Sequence, residues 1–85
     1  MGKIKDVFIF VVNENGEEKI VTWPNEHGIA VPLVYIDKKD IVEDNMKKSI
    51  QGLADRYKLY FELRTYQLVE IDVEKFYPTT KEYNA

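Results

Sequence analysis

The sequence contains no cysteine, one histidine and one serine, and each scarcity excludes a kind of chemistry. Without cysteine there is no disulfide framework, no cysteine-bound zinc or iron–sulfur site and no cysteine nucleophile. A catalytic triad would need Ser49 and His27 in one cleft, and Ser49 lacks the glycine elbow that exposes such a nucleophile. We therefore predict that the protein is not an enzyme and carries no cofactor. The absence of cysteine also fits the cytoplasm, which is the predicted location.

Long apolar runs and a surplus of basic residues are missing as well. The longest fully apolar run covers residues 7–12, far short of the roughly 20 residues that a membrane helix requires. Lysine and arginine number 12 against 15 acidic residues, for a net charge of -3, so the basic surplus typical of nucleic-acid-binding proteins is absent. The four glycines are scattered and form no phosphate-binding loop. We predict no membrane contact, and nucleic acid is an unfavoured partner.

The 85 residues are 45% hydrophobic, which suffices for one small core but not for two. We predict a single domain spanning residues 1–85. Within it, residues 79–85 are expected to fray, because they are polar and terminal.

The first part of the chain predicts a β-hairpin. Residues 4–13 are rich in β-branched and aromatic side chains, and residues 17–23 follow as a return strand. The Asn-Gly pair at positions 15–16 favours a two-residue type I′ turn. With that turn, the register places Phe8 opposite Trp23.

The middle of the chain predicts an extended segment and then one amphipathic helix. Residues 29–36 are apolar but contain Pro32, which restricts them to an edge strand or an extended connection. Asp40 and Glu43 have the spacing of a helix capping box. The apolar residues that follow recur at helical spacing: Val42, Met46, Ile50, Leu53 and Tyr57.

Acidic residues gather where this helix is predicted to start: Asp37, Asp40, Glu43 and Asp44. Carboxylates at a helix start are stabilised by the helix dipole and by capping. A calcium loop would need alternating oxygen ligands around a central glycine, and this segment has neither. We predict no metal site.

The last part of the chain predicts another strand and fixes the fold class. Residues 58–66 alternate, with Leu59, Phe61 and Leu63 on one face. Beyond them, residues 69–73 fit either a further strand or one helical turn, and we favour a strand or a bent continuation. The predicted fold is α+β: a small, mostly antiparallel sheet with an N-terminal β-hairpin and one amphipathic helix packed on one face.

One helix cannot cover a strand that is apolar on both sides. The second face of the first strand carries Val7, Ile9 and Val11, a pattern typical of strands buried on both faces. The C-terminal segment with Phe76 and Tyr77, a second copy of the chain, or another protein could supply the cover. Because small domains commonly gain stability by association, we predict a homodimer.

Eleven aromatic residues remain to be explained, and exposed tyrosines are enriched at protein interfaces. We therefore predict that Trp23, Tyr60, Arg64 and Tyr66 bind a protein partner. Two alternatives use some of the same residues. The rings of Tyr60 and Tyr66 could stack on single-stranded nucleic acid, or a small molecule could bind between subunits near Trp23 and His27.

The order of elements also resembles a known group of proteins. A hairpin ending at Trp23-Pro24, the run Val-Pro-Leu-Val at residues 31–34, an amphipathic helix and a Leu59-x-Phe61 strand look like small phage- and prophage-encoded proteins without an assigned activity. The likeness spans residues 7–73. It implies a phage context and a modulator of a host process, and it transfers no functional residue.

Overall fold

The structure is a computed structural model that describes residues 5–79. It confirms the α+β class and the N-terminal hairpin, and it contains two helices where the sequence predicted one. The elements in chain order are β1 (Lys5–Glu14), β2 (Glu17–Ile20), β3 (Thr22–Pro24), β4 (Ala30–Pro32), β5 (Val34–Tyr35), α1 (Lys38–Glu43), α2 (Met46–Tyr57) and β6 (Tyr60–Leu68).

Strand β1 is the centre of the main antiparallel sheet. Strands β2 and β5 pair with successive parts of one of its edges, and β6 pairs with the other edge along nine residues. The turn between β1 and β2 has the predicted two-residue form, in which Asn15 and Gly16 both adopt positive φ angles. The register at its base is also as predicted, with Val11 opposite Ile20.

The predicted pairing of Phe8 with Trp23 is wrong, because the chain forks away from β1 after Val21. The fork is held by three backbone hydrogen bonds: Val21 N donates to Phe10 O at 2.9 Å, Leu33 N to Val21 O at 2.8 Å, and Phe10 N to Leu33 O at 3.2 Å. Strands β3 and β4 leave the fork as a separate two-stranded ribbon. Phe8 therefore lies opposite Tyr35 of β5.

The predicted single helix is broken at Asn45. This residue has φ 54°, a left-handed conformation that cannot continue a helix, and α2 starts again just after it. The break rotates α1 relative to the predicted face, so that Ile41 is 1% exposed while Val42 is 73% exposed. Tyr57, at the far end of the predicted stripe, is also exposed.

The helix start differs from the predicted capping box. The N-cap of α1 is Asp37, whose side chain accepts a hydrogen bond from Lys39 N at 2.9 Å. Asp40, the predicted cap, lies inside the first turn of α1. At the other end, α2 stops at Lys58 in a left-handed conformation. Neither helix in residues 5–79 has the length and hydropathy needed to cross a bilayer.

The core lies between the main sheet and the two helices. Phe8 and Phe10 of β1 pack there with Ile41 of α1 and with Met46 and Ile50 of α2. Leu53, Phe61 and Leu63 pack at its margin and are half-buried. The inward face predicted for β6 is thus confirmed.

Residues 69–79 leave the sheet after β6 as an exposed segment without strand or helix. The strand favoured for residues 69–73 is therefore not formed within this chain. The proposed return of the C-terminal segment over the sheet is also wrong, since Phe76 is 84% exposed and Tyr77 74%. The predicted fraying concerns residues 79–85, of which 80–85 lie outside the described residues.

Candidate functional site

The sheet face opposite the helices, called the outer face below, carries an apolar surface that no described element covers. Val7 and Val11 at its centre are each 6% exposed but stand apart from the main core cluster. They are flanked on neighbouring strands by apolar and aromatic side chains with 42–51% exposure. These flanking residues are Ile20, Val34, Tyr66 and Leu68.

Arg64 organises the polar part of the outer face. Its Nε donates to Glu62 Oε1 at 2.8 Å, and its Nη2 lies 2.7 Å from the same oxygen. Nη2 also donates to Glu18 on β2, across the width of β1. A longer bond of 3.4 Å runs from Nη1 to Tyr66 Oη. The guanidinium thus links β6 to β2 across β1 and orients Tyr66.

The carboxylates of Glu18 and Glu62 neutralise the positive charge of Arg64. The hydrogen bond from Arg64 lowers the pKa of Glu18, and the bond to Glu18, followed by those to Tyr66 and Glu62, raises the pKa of Arg64. Both members of the pair therefore stay ionised over the physiological range. One cation between two anions leaves this patch without positive charge to offer a ligand.

Three of the four predicted partner-binding residues lie together. Tyr60, Arg64 and Tyr66 alternate along β6 and share the outer face, where Tyr60 is 81% exposed. Trp23 does not join them. It lies on β3 and packs, half-buried, against the margin of the core.

Trp23 lines a cleft of about 270 Å³ with Val31, Tyr35, Asp44 and Met46. Tyr35 Oη donates to Asp44 Oδ2 at 3.1 Å in this cleft. Burial, and secondarily this bond, raises the pKa of Tyr35 to about 12. His27 does not line the cleft; it lies exposed in the loop between β3 and β4, with Nε2 3.6 Å from Glu26 Oε2.

The free edge of β6 is a feature that the sequence reasoning missed. Among residues 5–79, β6 pairs only with β1, so its other edge presents unpaired backbone groups along nine residues. Beside it lies a groove of about 310 Å³ between α2 and β6, whose lining includes Ile50, Ala54, Phe61 and Leu63. The signal in the sequence was the alternation of residues 58–66 running on into residues 69–73 with no turn between them.

Within residues 5–79, no three acidic or histidine side chains are grouped closely enough to hold a metal ion. Of the acids gathered there in the sequence, Asp37 caps the start of α1 and Asp44, at its end, accepts the hydrogen bond from Tyr35.

Comparison of the chain with known protein families, with curated proteins and with solved structures gives no match. The resemblance to phage-encoded proteins therefore stays a prediction.

Proposed function

We propose that this chain is a non-enzymatic interaction protein that self-associates and binds a protein partner through the outer face of its sheet. A role as a modulator of a host process, in a phage context, belongs to the same proposal. The observation that carries it is the group of apolar and aromatic side chains, each 42–51% exposed, that flank the buried Val7 and Val11 on this face: Ile20, Val34, Tyr66 and Leu68. An isolated sheet that stays in water normally places polar side chains on its solvent face.

The chemistry of the outer face suits a protein partner. Partly exposed apolar side chains, Ile20, Val34 and Leu68, lie around its buried centre, and the arginine cluster around Arg64 lies at one side. Tyr60 and Tyr66 add rings with polar tips. Apolar side chains together with aromatic residues and arginine are the usual composition of protein interfaces.

Single-stranded nucleic acid is a weaker candidate for the same face. Its affinity would depend on free positive charge beside the rings of Tyr60 and Tyr66. Arg64, the cation between them, is already bound by Glu18 and Glu62. Binding of a labelled oligonucleotide that weakens steeply with added salt would favour this alternative.

A small-molecule site is the second alternative, and the cleft at Trp23 supports it. At about 270 Å³, the cleft lies just below the usual size of ligand pockets. Its carboxylate, Asp44, is already occupied by Tyr35. Because Trp23 is the only tryptophan, its fluorescence reports on this cleft alone. A metabolite that shifts this fluorescence and raises the thermal stability would support the site.

The main proposal is tested by changing both outer-face tyrosines, Tyr60→Ser and Tyr66→Ser, in one variant. We expect the variant to fold, because both side chains are largely exposed, and to lose the bound protein in affinity capture from a cell extract. Captured proteins are quantified by mass spectrometry against the unmodified chain.

Tyr57→Ser is the matched control. Tyr57 is 58% exposed, as an interface tyrosine would be, but it lies at the end of α2 beside Arg56 rather than on the outer face. Its replacement should leave capture unchanged. If the double variant retains the captured protein, the outer face is not the binding surface.

A further inference from the structure

We infer that residues 69–77, called the arm below, pair with the free edge of β6 in a second copy of this chain, forming a two-fold dimer with one continuous sheet. This dimer rests on the self-association proposed above, and its contacts are those between the arm of one copy and β6 of the other. The arm carries the apolar side chains Val69, Ile71 and Val73 in alternation with the acids Glu70, Asp72 and Glu74. This period of two is the pattern of a strand.

The arm is built as a strand but has no strand partner within its own chain. Ile71 is 95% exposed, and no residue after Leu68 belongs to a strand in the described part of the chain. Holding an extended segment without contacts costs conformational entropy at every residue. A partner strand would offset that cost through backbone hydrogen bonds and burial of the apolar side chains.

The arm cannot reach the edge of its own β6. Folding back would need a tight turn after β6, and the Gln-Leu-Val-Glu sequence at residues 67–70 contains no glycine, proline or asparagine. No residue in this stretch has a positive φ angle. The arm instead continues away from the sheet, and its described residues are all exposed. The strand that completes this edge must come from another chain.

A second copy of the chain supplies both a partner for the arm and a strand for the free edge of β6. In each chain the arm continues directly from the edge strand β6. Two such strands that run antiparallel about a two-fold axis therefore pair along residues 60–74, with residues 69–74 of each arm on the other's β6. This arrangement closes on itself and leaves no further long edge exposed, since the other edge of the sheet is divided between the short strands β2 and β5.

Side-chain complementarity fixes the register of this pairing. When Gln67 faces Gln67 of the second copy, Ile71 and Val73 lie opposite Leu63 and Phe61. These two partners line the groove between α2 and β6, which is apolar at Ile50 and Ala54 and open beside the edge. The arm thus supplies apolar side chains where α2 leaves β6 uncovered.

In this register Lys75 lies opposite Leu59, beside the carboxylate of Asp55 of α2. Glu70 lies opposite Arg64 and Asp72 opposite Glu62 on the outer face, where Arg64 is already bound by Glu18 and Glu62. Charge therefore supports the register at Lys75 alone, and the apolar pairs of Ile71 and Val73 carry it.

Substitution in the arm tests the inference without disturbing the folded domain. The variant with Ile71→Asp and Val73→Asp should fold with an unchanged helical circular dichroism signal, because both side chains are exposed and lie outside the core. Light scattering at tens of micromolar should give twice 10.0 kDa for the unmodified chain and the monomer mass for the variant. The dimer dissociation constant should rise by more than about a hundredfold.

Val42→Asp is the matched control, since Val42 is an exposed valine outside the arm, and it should remain dimeric. A monomeric unmodified chain, or a dimer that survives both arm substitutions, would overturn the inference. Neither result bears on the outer face, because partner capture by the Tyr60 and Tyr66 variant is measured separately. Partner capture that persists in a monomeric arm variant would leave the proposed function standing.

The cysteine-free sequence allows the register to be tested directly. A single Gln67→Cys substitution places two thiols opposite each other across the two-fold axis, at a Cα separation of about 4.5–5.5 Å that a disulfide can span. Mild oxidation should cross-link this variant nearly completely. Ser49→Cys, in α2, is the control and should stay uncross-linked at the same concentration. Absence of the Gln67→Cys dimer would refute this register.

Discussion

The hydroxyl of Tyr35 donates a hydrogen bond of 3.1 Å to the carboxylate of Asp44, and this bond joins the shortest strand of the sheet to the junction between the two helices. Strand β5 has only two residues. Edge-to-face contact with Phe10, at a ring separation of 6.2 Å, holds the other side of the tyrosine. Tyr35 thereby connects sheet, helix junction and core.

This relationship predicts a loss of stability at alkaline pH. The ordinary tyrosine pKa of 10.0 is raised to about 12 in the fold, so the unfolded chain releases the Tyr35 proton first. The contribution of protonated Tyr35 to the free energy of unfolding is therefore complete below pH 10 and is lost as the pH rises toward 12. Its size is about 1–2 kcal/mol, since the side chain is only partly buried. Urea unfolding at a series of pH values measures it.

Tyr35→Phe is the control for this pH dependence. The variant should lose about 1 kcal/mol at neutral pH with the hydrogen bond, and its stability should fall less between pH 10 and 12 than that of the unmodified chain. Asp44→Asn should bring the pKa of Tyr35 back toward 10.0. Tyrosinate absorbance that shows no residue titrating above the others would contradict this prediction.

Neighbouring residues of α1 are expected to respond very differently to truncation. Ile41 is 1% exposed and Val42 73%. Ile41→Ala should reduce the free energy of unfolding by about 2–5 kcal/mol, because it leaves a cavity in the core. Val42→Ala should change it by less than about 0.5 kcal/mol. Urea denaturation of both variants measures the two losses. A larger loss for Val42→Ala than for Ile41→Ala would mean that Val42 faces the core, as the sequence pattern predicted.

The break between the helices should depend on the backbone conformation of Asn45. Its φ angle is 54°, and its side chain makes no capping hydrogen bond, so a substitution tests the backbone alone. Asn45→Ala should cost about 1 kcal/mol, because alanine tolerates the left-handed conformation less well than asparagine does. Asn45→Gly should be neutral or stabilising. Thermal unfolding of the pair gives the comparison, and a stabilising alanine would show that α1 and α2 can fuse.

One substitution is expected to have opposite effects at two lysines. Lys58 ends α2 with φ 57°, where glycine is preferred, so Lys58→Gly should stabilise the fold by roughly 0.5–1 kcal/mol. Lys48 lies exposed within α2, where glycine is unfavourable, and Lys48→Gly should cost about 1 kcal/mol. Denaturant midpoints measured side by side test the sign. A destabilising Lys58→Gly would count against the left-handed helix end.

Local patterns in the sequence determined much of this protein. The Asn-Gly turn fixed the register between β1 and β2, because its geometry depends on adjacent residues alone. Alternation assigned the inward face of β6. The apolar pattern of β1 on both sides predicted that the outer face needs a cover. Val7 and Val11 are 6% exposed on that face, and the covering partner stays a prediction. Of the predicted binding residues, those that alternate along β6 lie together.

Tertiary structure decided the rest, because it depends on contacts between distant segments. The fork at Val21 exists because Leu33 replaces the return strand beside Phe10, a competition between segments that no local pattern records. The break at Asn45 sets which side of α1 meets the core. Ile41 is therefore buried there, and Val42 is exposed. The free edge of β6 could be recognised only when all its neighbours were known. The alternating strand pattern of the arm is present in the sequence, but only the tertiary structure shows that the arm has no strand partner in its own chain.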